Sequence, residues 1–191
     1  MHGKQNMILI AMGSNLSGSW GDPKATLTRA AAELKIIFNG MTTNSSFFVT
    51  AAVGGDRQPA YINAVLRIDA SVGPVRLLWI LQALERHAGR RTGVAKRWGA
   101  RALDLDIIDH GGRVSGRRVQ RQGRHKVRTI NPRRPTRRTK SLILPHPLAH
   151  LRAFVLMPLL EVAPHWIHPT LRVSGKTLLS RLPDRRFIRR A

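Results

Sequence analysis

The chain has 191 residues, 42% of them hydrophobic, with no cysteine and a formal net charge of +23 from 33 Lys and Arg against 10 Asp and Glu. That length suits one domain able to bury a core of its own. The missing cysteines exclude disulfides and thiolate metal sites and fit a reduced, cytoplasmic setting, and no apolar run approaches the roughly 18 residues that a membrane-spanning helix needs. The charge predicts attraction to polyanions, but it is uneven: no acidic residue lies between Asp109 and Glu161, and residues 111–140 alone carry twelve Lys and Arg.

In chain order, residues 7–12 form a continuous apolar run ended by Gly13-Ser14-Asn15, which reads as a central strand and a turn. Met7 is as good a start as Met1. Asp22-Pro23 predicts a helix start, an N-cap with Pro at the first helical position. Leu27, Ala30, Ala31, Leu34 and Phe38 then keep helical spacing until Asn39-Gly40. Residues 45–50 predict a second strand. Residues 61–70 predict a third, with Ile62, Ala64, Leu66 and Ile68 on one face and Tyr61 and Asn63 on the other. Gly73-Pro74 opens a second helix carrying Leu77, Leu78, Leu81, Leu84 and Ala88, closed by Gly89, and residues 104–109 give a last strand. The order β-α-β-β-α-β predicts an α+β fold, the ferredoxin-like split βαβ with an antiparallel sheet, helices on one face and the other face free to bind. Residues 111–140 lack periodicity and read as a solvated, mobile basic insertion. Beyond them, helices are expected at residues 153–162 and 177–182, so that one domain spans residues 7–182, with residues 183–191 as a basic tail.

The chemistry centres on Asp104 and Asp106. Two strand steps put both carboxylates on one face, roughly 6–7 Å apart at Cα. Carboxylates that close repel unless a cation or a proton lies between them. Mg²⁺ suits them, because it takes hard oxygen ligands shared with substrate phosphates. Arg97 and Arg101 just upstream supply positive charge for a polyphosphate. Gly175-Lys176-Thr177 is not a P-loop, since the Gly required five positions earlier is Thr170. The remaining histidines make no zinc set without carboxylate or Cys partners.

The stretch Arg97-Trp98-Gly99-Ala100-Arg101-Ala102-Leu103-Asp104-Leu105-Asp106-Ile107-Ile108 resembles the signature of the 6-hydroxymethyl-7,8-dihydropterin pyrophosphokinases of folate synthesis. It is joined in order by Ala11-Met12-Gly13-Ser14-Asn15-Leu16, Gln58-Pro59-Ala60-Tyr61-Ile62-Asn63-Ala64-Val65 and Leu144-Pro145-His146-Pro147, and then by motifs at 152–156 and 158–164. The resemblance implies transfer of pyrophosphate from ATP to the pterin hydroxymethyl oxygen, releasing AMP. It implies two Mg²⁺ ions on Asp104 and Asp106, with Arg90, Arg97 and Arg101 as further catalytic residues. ATP contacts fall to Glu85, Arg101, Ile107, His146 and Arg152. The pterin pocket falls to Thr50, Val53, Tyr61, Asn63, Trp98 and Phe154. The family usually has Pro where Ala100 stands, and Pro after the position of Thr50, where this chain has Ala51-Ala52. The basic insertion is far longer than the hairpin expected there, and weak polyanion binding is the one partner reading it adds to the pterin and ATP. No membrane is implicated.

A rival reading takes charge and pI as primary and makes the chain a ferredoxin-like nucleic-acid-binding module with a basic arm. It leaves unexplained why two carboxylates sit among phosphate-seeking arginines.

Overall fold

The computed structural model describes residues 7–51, 58–90, 99–116 and 142–191. Strand β1 (Met7–Ser14) lies between β5 (Asp104–His110) and β4 (Tyr61–Asp69), antiparallel to both. β4 also pairs with β2 (Thr42–Asn44) and β3 (Phe48–Thr50), and β3 with β6 (Arg189–Arg190), giving the sheet order β5-β1-β4-β3-β6. This is the antiparallel α+β arrangement expected.

Helix α1 (Pro23–Ile37) starts as its local chemistry dictates: the Asp22 carboxylate accepts from the Ala25 N–H at 2.8 Å, with Pro23 following. It ends where Asn39 and Gly40 take positive φ. Helix α2 (Pro74–His87) has no side-chain cap and stops before Gly89, at φ +97°. Both helices pack on one sheet face, where Ile8, Ile10, Met12, Leu66, Ile68, Leu105 and Ile107 join Leu27, Leu34, Leu77 and Leu81 in one core.

Three features differ from expectation. First, the sheet face expected to be free is only partly so. Helix α3 (Ala153–Val162) and helix α4 (Gly175–Ser180) cover part of the other side, burying Leu9, Val65 and Ile108 with Val155, Leu156, Leu159, Trp166 and Leu178. α3 is apolar nearly all round, which fits a helix buried between layers. Gly175 of the rejected P-loop serves packing: a Cβ there would meet the side chains of Leu160 and Trp166 at 3.0–3.2 Å.

Second, of the strand expected at residues 45–50 only residues 48–50 form one, and a separate strand precedes it at residues 42–44. Residues 45–47 face only Ala64 and Val65, because β2 ends opposite Leu66 and β3 begins opposite Asn63. At the break the Ser45 hydroxyl accepts from the Val65 N–H, and the Ser46 N–H is drawn to Glu161 of α3 at 2.7 Å. The result is a bulge in which a side chain replaces one ladder bond. Third, residues 183–191 are not a loose tail: a 3-10 turn (Pro183–Phe187) leads into β6, and Arg190 pairs with Glu161. The last helix begins two residues earlier than expected, because Ser174 caps it through the Thr177 N–H. Residues 117–141, and with them most of the basic insertion, lie outside the described residues.

Candidate active site

Where α3 does not reach, the sheet carries a cleft of about 790 Å³. Its floor is β1, which places small Ala11 and Gly13 there. Gly13 is opposite Asp104 on one side and Asn63 on the other, and Ala11 is opposite Asp106. Strand alternation puts Asp104 and Asp106 into the cleft while Leu105 and Ile107 enter the α1/α2 core. Beyond Ile107 a register shift lets both Ile108 and Asp109 address the α3/α4 side, where Asp109 accepts from the Trp166 indole N–H at 2.8 Å. Asp109 is therefore structural, while the other two β5 carboxylates remain in the cleft.

Basic groups converge on those two. Arg101 donates to Asp104 from three residues upstream, and Arg90 bridges Asp104, at 3.1 Å, and Glu85. Glu85 is 7% exposed and also accepts from the Leu105 N–H at 2.9 Å, which ties the end of α2 to the start of β5. Burial raises its pKa to about 7, with the charge of Arg90 pulling the other way. Asp106 is pushed above the usual carboxylate range, first by the desolvating cleft walls and next by Asp104.

Opposite Asp106, at 3.8 Å, lies Nε2 of His146. The Leu148 N–H donates to His146 Nδ1, so the neutral ring carries its proton on Nε2, aimed at the carboxylate. Burial is the chief cause of the lowered His146 pKa, partly offset by Asp106. Arg152 closes this side, its guanidinium 5.6 Å from the centroid of the Phe154 ring.

The β4 side has a different character. Thr50 and Tyr61 are register partners on β3 and β4, and the Asn63 amide donates to the Thr50 hydroxyl at 2.9 Å. The Tyr61 hydroxyl donates to the Gly99 carbonyl at 3.2 Å, and burial with the nearby Asp104 charge raises its pKa, which keeps it a donor. Phe154 offers an aromatic face to the same cleft. One end is thus charged and the other combines flat rings with a buried amide.

Of the residues expected at the site, Thr50, Tyr61, Asn63, Glu85, Arg90, Arg101, Asp104, Asp106, Ile107, His146, Arg152 and Phe154 all border this cleft. Ile107 does so as a 5%-exposed core residue, leaving little of its side chain for a ligand. Glu85 likewise spends its carboxylate on protein partners. Val53, Arg97 and Trp98 lie outside the described residues.

Asn15, which the sequence places in a turn and in a family motif but not among the site residues, is 2% exposed and fully engaged. Its Oδ1 accepts from the Arg101 N–H at 2.7 Å and its own N–H donates to the Arg101 carbonyl at 3.0 Å. Its Nδ2 donates to the Pro59 carbonyl at 3.2 Å. The Ser14 hydroxyl donates to the Ala102 carbonyl at 2.5 Å. The signal available in the sequence was the Gly-Ser-Asn triplet itself, whose partners lie more than 40 residues away.

The oxygen donors fit Mg²⁺. Among the described residues no three His, Cys, Asp or Glu gather as a metal cage. Two cleft carboxylates match the incomplete protein share that a phosphate-bound Mg²⁺ would take.

Residues 9–164 match the family model described as 7,8-dihydro-6-hydroxymethylpterin-pyrophosphokinase. A 2-amino-4-hydroxy-6-hydroxymethyldihydropteridine pyrophosphokinase of Haemophilus influenzae is 31% identical over 181 residues, covering 94% of this chain and 95% of its own. The protein of that name in Bacillus subtilis is 34% identical over 158 residues, 82% of this chain and 78% of its own. A crystal structure described as HPPK-DHPS in complex with substrates superposes with a TM-score of 0.59 at 11% identity, over 92% of this chain and 43% of that one, a likeness of fold. With its cleft built on the motifs that suggested the resemblance, and with a match over most of its length, the chain belongs to the 7,8-dihydro-6-hydroxymethylpterin-pyrophosphokinase family.

Proposed function

We propose that this protein transfers pyrophosphate from ATP to the hydroxymethyl oxygen of 6-hydroxymethyl-7,8-dihydropterin, giving AMP and the pterin diphosphate for folate synthesis. The observation that carries the reading is the division of one cleft into a charged half on β5 and a ring-and-amide half on β4, with only Ala11 and Gly13 between them. A donor and an acceptor held that way react as neighbours, without a covalent enzyme intermediate.

In this reading Asp104 and Asp106 hold two Mg²⁺ ions. When bound, these neutralise triphosphate charge and steady the oxygens that gain charge as the pyrophosphoryl group moves. Arg101 and Arg90 exchange part of their hold on Asp104 for phosphate oxygens, to which guanidinium forks are suited. His146 donates from Nε2 and Arg152 adds a second positive wall. Arg97, from the segment just before Gly99, joins them in catalysis. Glu85 acts on the nucleotide half by fixing Arg90 and the start of β5, and Ile107 through the β5 backbone. On the other half Tyr61, Phe154 and Trp98 belong to the pterin pocket, where two aromatic faces stack on the ring, the Asn63 amide pairs with its edge, and Thr50 and Val53 contribute backbone groups.

The lack of cysteine supports a cytoplasmic setting for the reaction. No described helix is long and apolar enough to cross a membrane. Weak polyanion binding by residues 111–140 is a separate proposal. It predicts a salt-sensitive gel shift with RNA or DNA that deletion of residues 113–140 removes, and no shift at low salt ends it. The nucleic-acid module with a basic arm gains no support from the family match.

AMP release from ATP, measured with and without the pterin and with and without Mg²⁺, tests the activity. AMP appearing only when both are present is expected. AMP absent from folded protein, or formed equally well without pterin, overturns it.

A further inference from the structure

Asn15 joins the two halves of the cleft. Residues 14–16 grip the segment that delivers Arg101: the Asn15 backbone and Oδ1 take both polar groups of the Arg101 peptide, the Leu16 N–H adds a second bond to the Arg101 carbonyl at 3.2 Å, and Ser14 holds Ala102. From the same carboxamide, Nδ2 reaches the Pro59 carbonyl at 3.2 Å and Gln58 Oε1 at 3.4 Å, two and three residues before Tyr61. Tyr61 in turn donates to the Gly99 carbonyl, two residues before Arg101. The bonds close a triangle, Asn15 to Arg101, Gly99 to Tyr61, and Pro59 back to Asn15.

We infer that Asn15 is a positioning residue of the reaction: its carboxamide sets Arg101, on the phosphate half, in register with Tyr61, on the ring half. The inference rests on the pyrophosphokinase reading and adds to it a residue that touches neither substrate. The chemistry at this buried point requires one acceptor and one donor on a single rigid plane, which Asn supplies. Asp would present a second acceptor to the Pro59 carbonyl. A side chain without polar atoms would remove the bonds that the carboxamide makes to the Arg101 N–H and the Pro59 carbonyl, loosening both segments. A displacement of about 1 Å between reacting groups is enough to cost about 100-fold in rate. A misregistered Arg101 therefore appears in kcat, because each half retains its own contacts to its own substrate.

The test compares wild type, Asn15→Ala and Asn15→Asp, each first checked for folding by circular dichroism and thermal melting. In Asn15→Ala, kcat is expected to fall about 100-fold while KM for ATP and for the pterin each move less than about threefold. Asn15→Asp keeps the acceptor for the Arg101 N–H and is expected to recover about tenfold of that loss. If Asn15→Ala does not fold, a folded Asn15→Asp with kcat about tenfold below wild type at unchanged KM supports the inference, and wild-type kcat in it is a refutation. A folded Asn15→Ala with kcat within about threefold of wild type overturns it, as does a melting temperature that falls while kcat per folded molecule does not. Wild-type AMP release, run alongside, keeps the two failures apart: none in wild type defeats the activity itself, whereas normal release in both wild type and Asn15→Ala defeats only the role of Asn15.

Discussion

Asp104 and Asp106 differ in their surroundings although they share a face. Asp104 has two guanidinium partners, while Asp106 is approached by His146 at 3.8 Å, feels the charges of Arg152 and Arg101, and is still held toward the protonated form by burial and by its neighbour. Asp106 is thus the carboxylate with most to gain from a cation, and the one whose loss leaves the protein least disturbed. Asp106→Ala is expected to lower kcat by at least about 100-fold, with a melting temperature at or above wild type, because a like-charge contact is removed. Near-normal turnover in a folded Asp106→Ala would remove it from the metal assignment. Its place in the cleft was legible because alternation over four residues is local arithmetic. The role of Asn15 was not, since its partner Arg101 is 86 residues away and a turn motif carries no hint of what packs over it.

At the scale of elements, legibility follows the range of the deciding interaction. The starts of α1 and α2 were readable because Asp22-Pro23 and Gly73-Pro74 act on their own next turn. The split between β2 and β3 was hidden, because it depends on Val65 bonding to the Ser45 hydroxyl and on Glu161 of α3 capturing the Ser46 N–H. Pairing of β6 with β3 was equally hidden, since its register partners lie some 140 residues upstream. One close approach between elements governs the site from behind. Gly18, in the loop after β1, lies so near the end of α2 that a Cβ would stand 2.2 Å from the Ala88 carbonyl and 2.7 Å from the Ala102 Cβ. Both neighbours are backbone-anchored, and they flank Arg90 and Arg101. Gly18→Ala is expected to cost about 1–3 kcal/mol in urea unfolding and to lower turnover as well, by displacing the segments that carry both arginines. Unchanged stability would mean that the loop yields freely.

For the whole molecule, two sets of buried groups oppose each other as pH changes. Glu85 has a folded pKa of about 7 against an ordinary 4.5, so the folded state holds its proton more tightly. Its contribution is full below pH 4.5 and is lost as pH rises through about 7. His150 and His168 are lowered by burial, and their ring-to-ring packing at 5.2 Å favours neutral rings. Their contribution is full above 6.5 and is lost as pH falls below it. The two trends offset each other over the weakly acidic range. Glu85→Gln separates them: measured by urea unfolding without metal, the stability of the variant relative to wild type should rise between pH 4.5 and 8 by up to about 3 kcal/mol. A difference that falls instead would mean that Glu85 ionises more readily in the folded protein than in the unfolded chain.

The central place of β1 also governs how the molecule is made. Translation delivers β1 before either strand that flanks it: β4 completes its register only at Asp69 and β5 only at His110. Before β4 emerges a nascent chain carries an apolar segment with both hydrogen-bonding edges open, one edge stays open until β5, and the α3 layer that shields its outer face comes later still, at residues 153–162. Completion of this sheet therefore waits on synthesis, so chains halted before β4 hold β1 without a partner and chains halted between β4 and β5 hold it with one edge open.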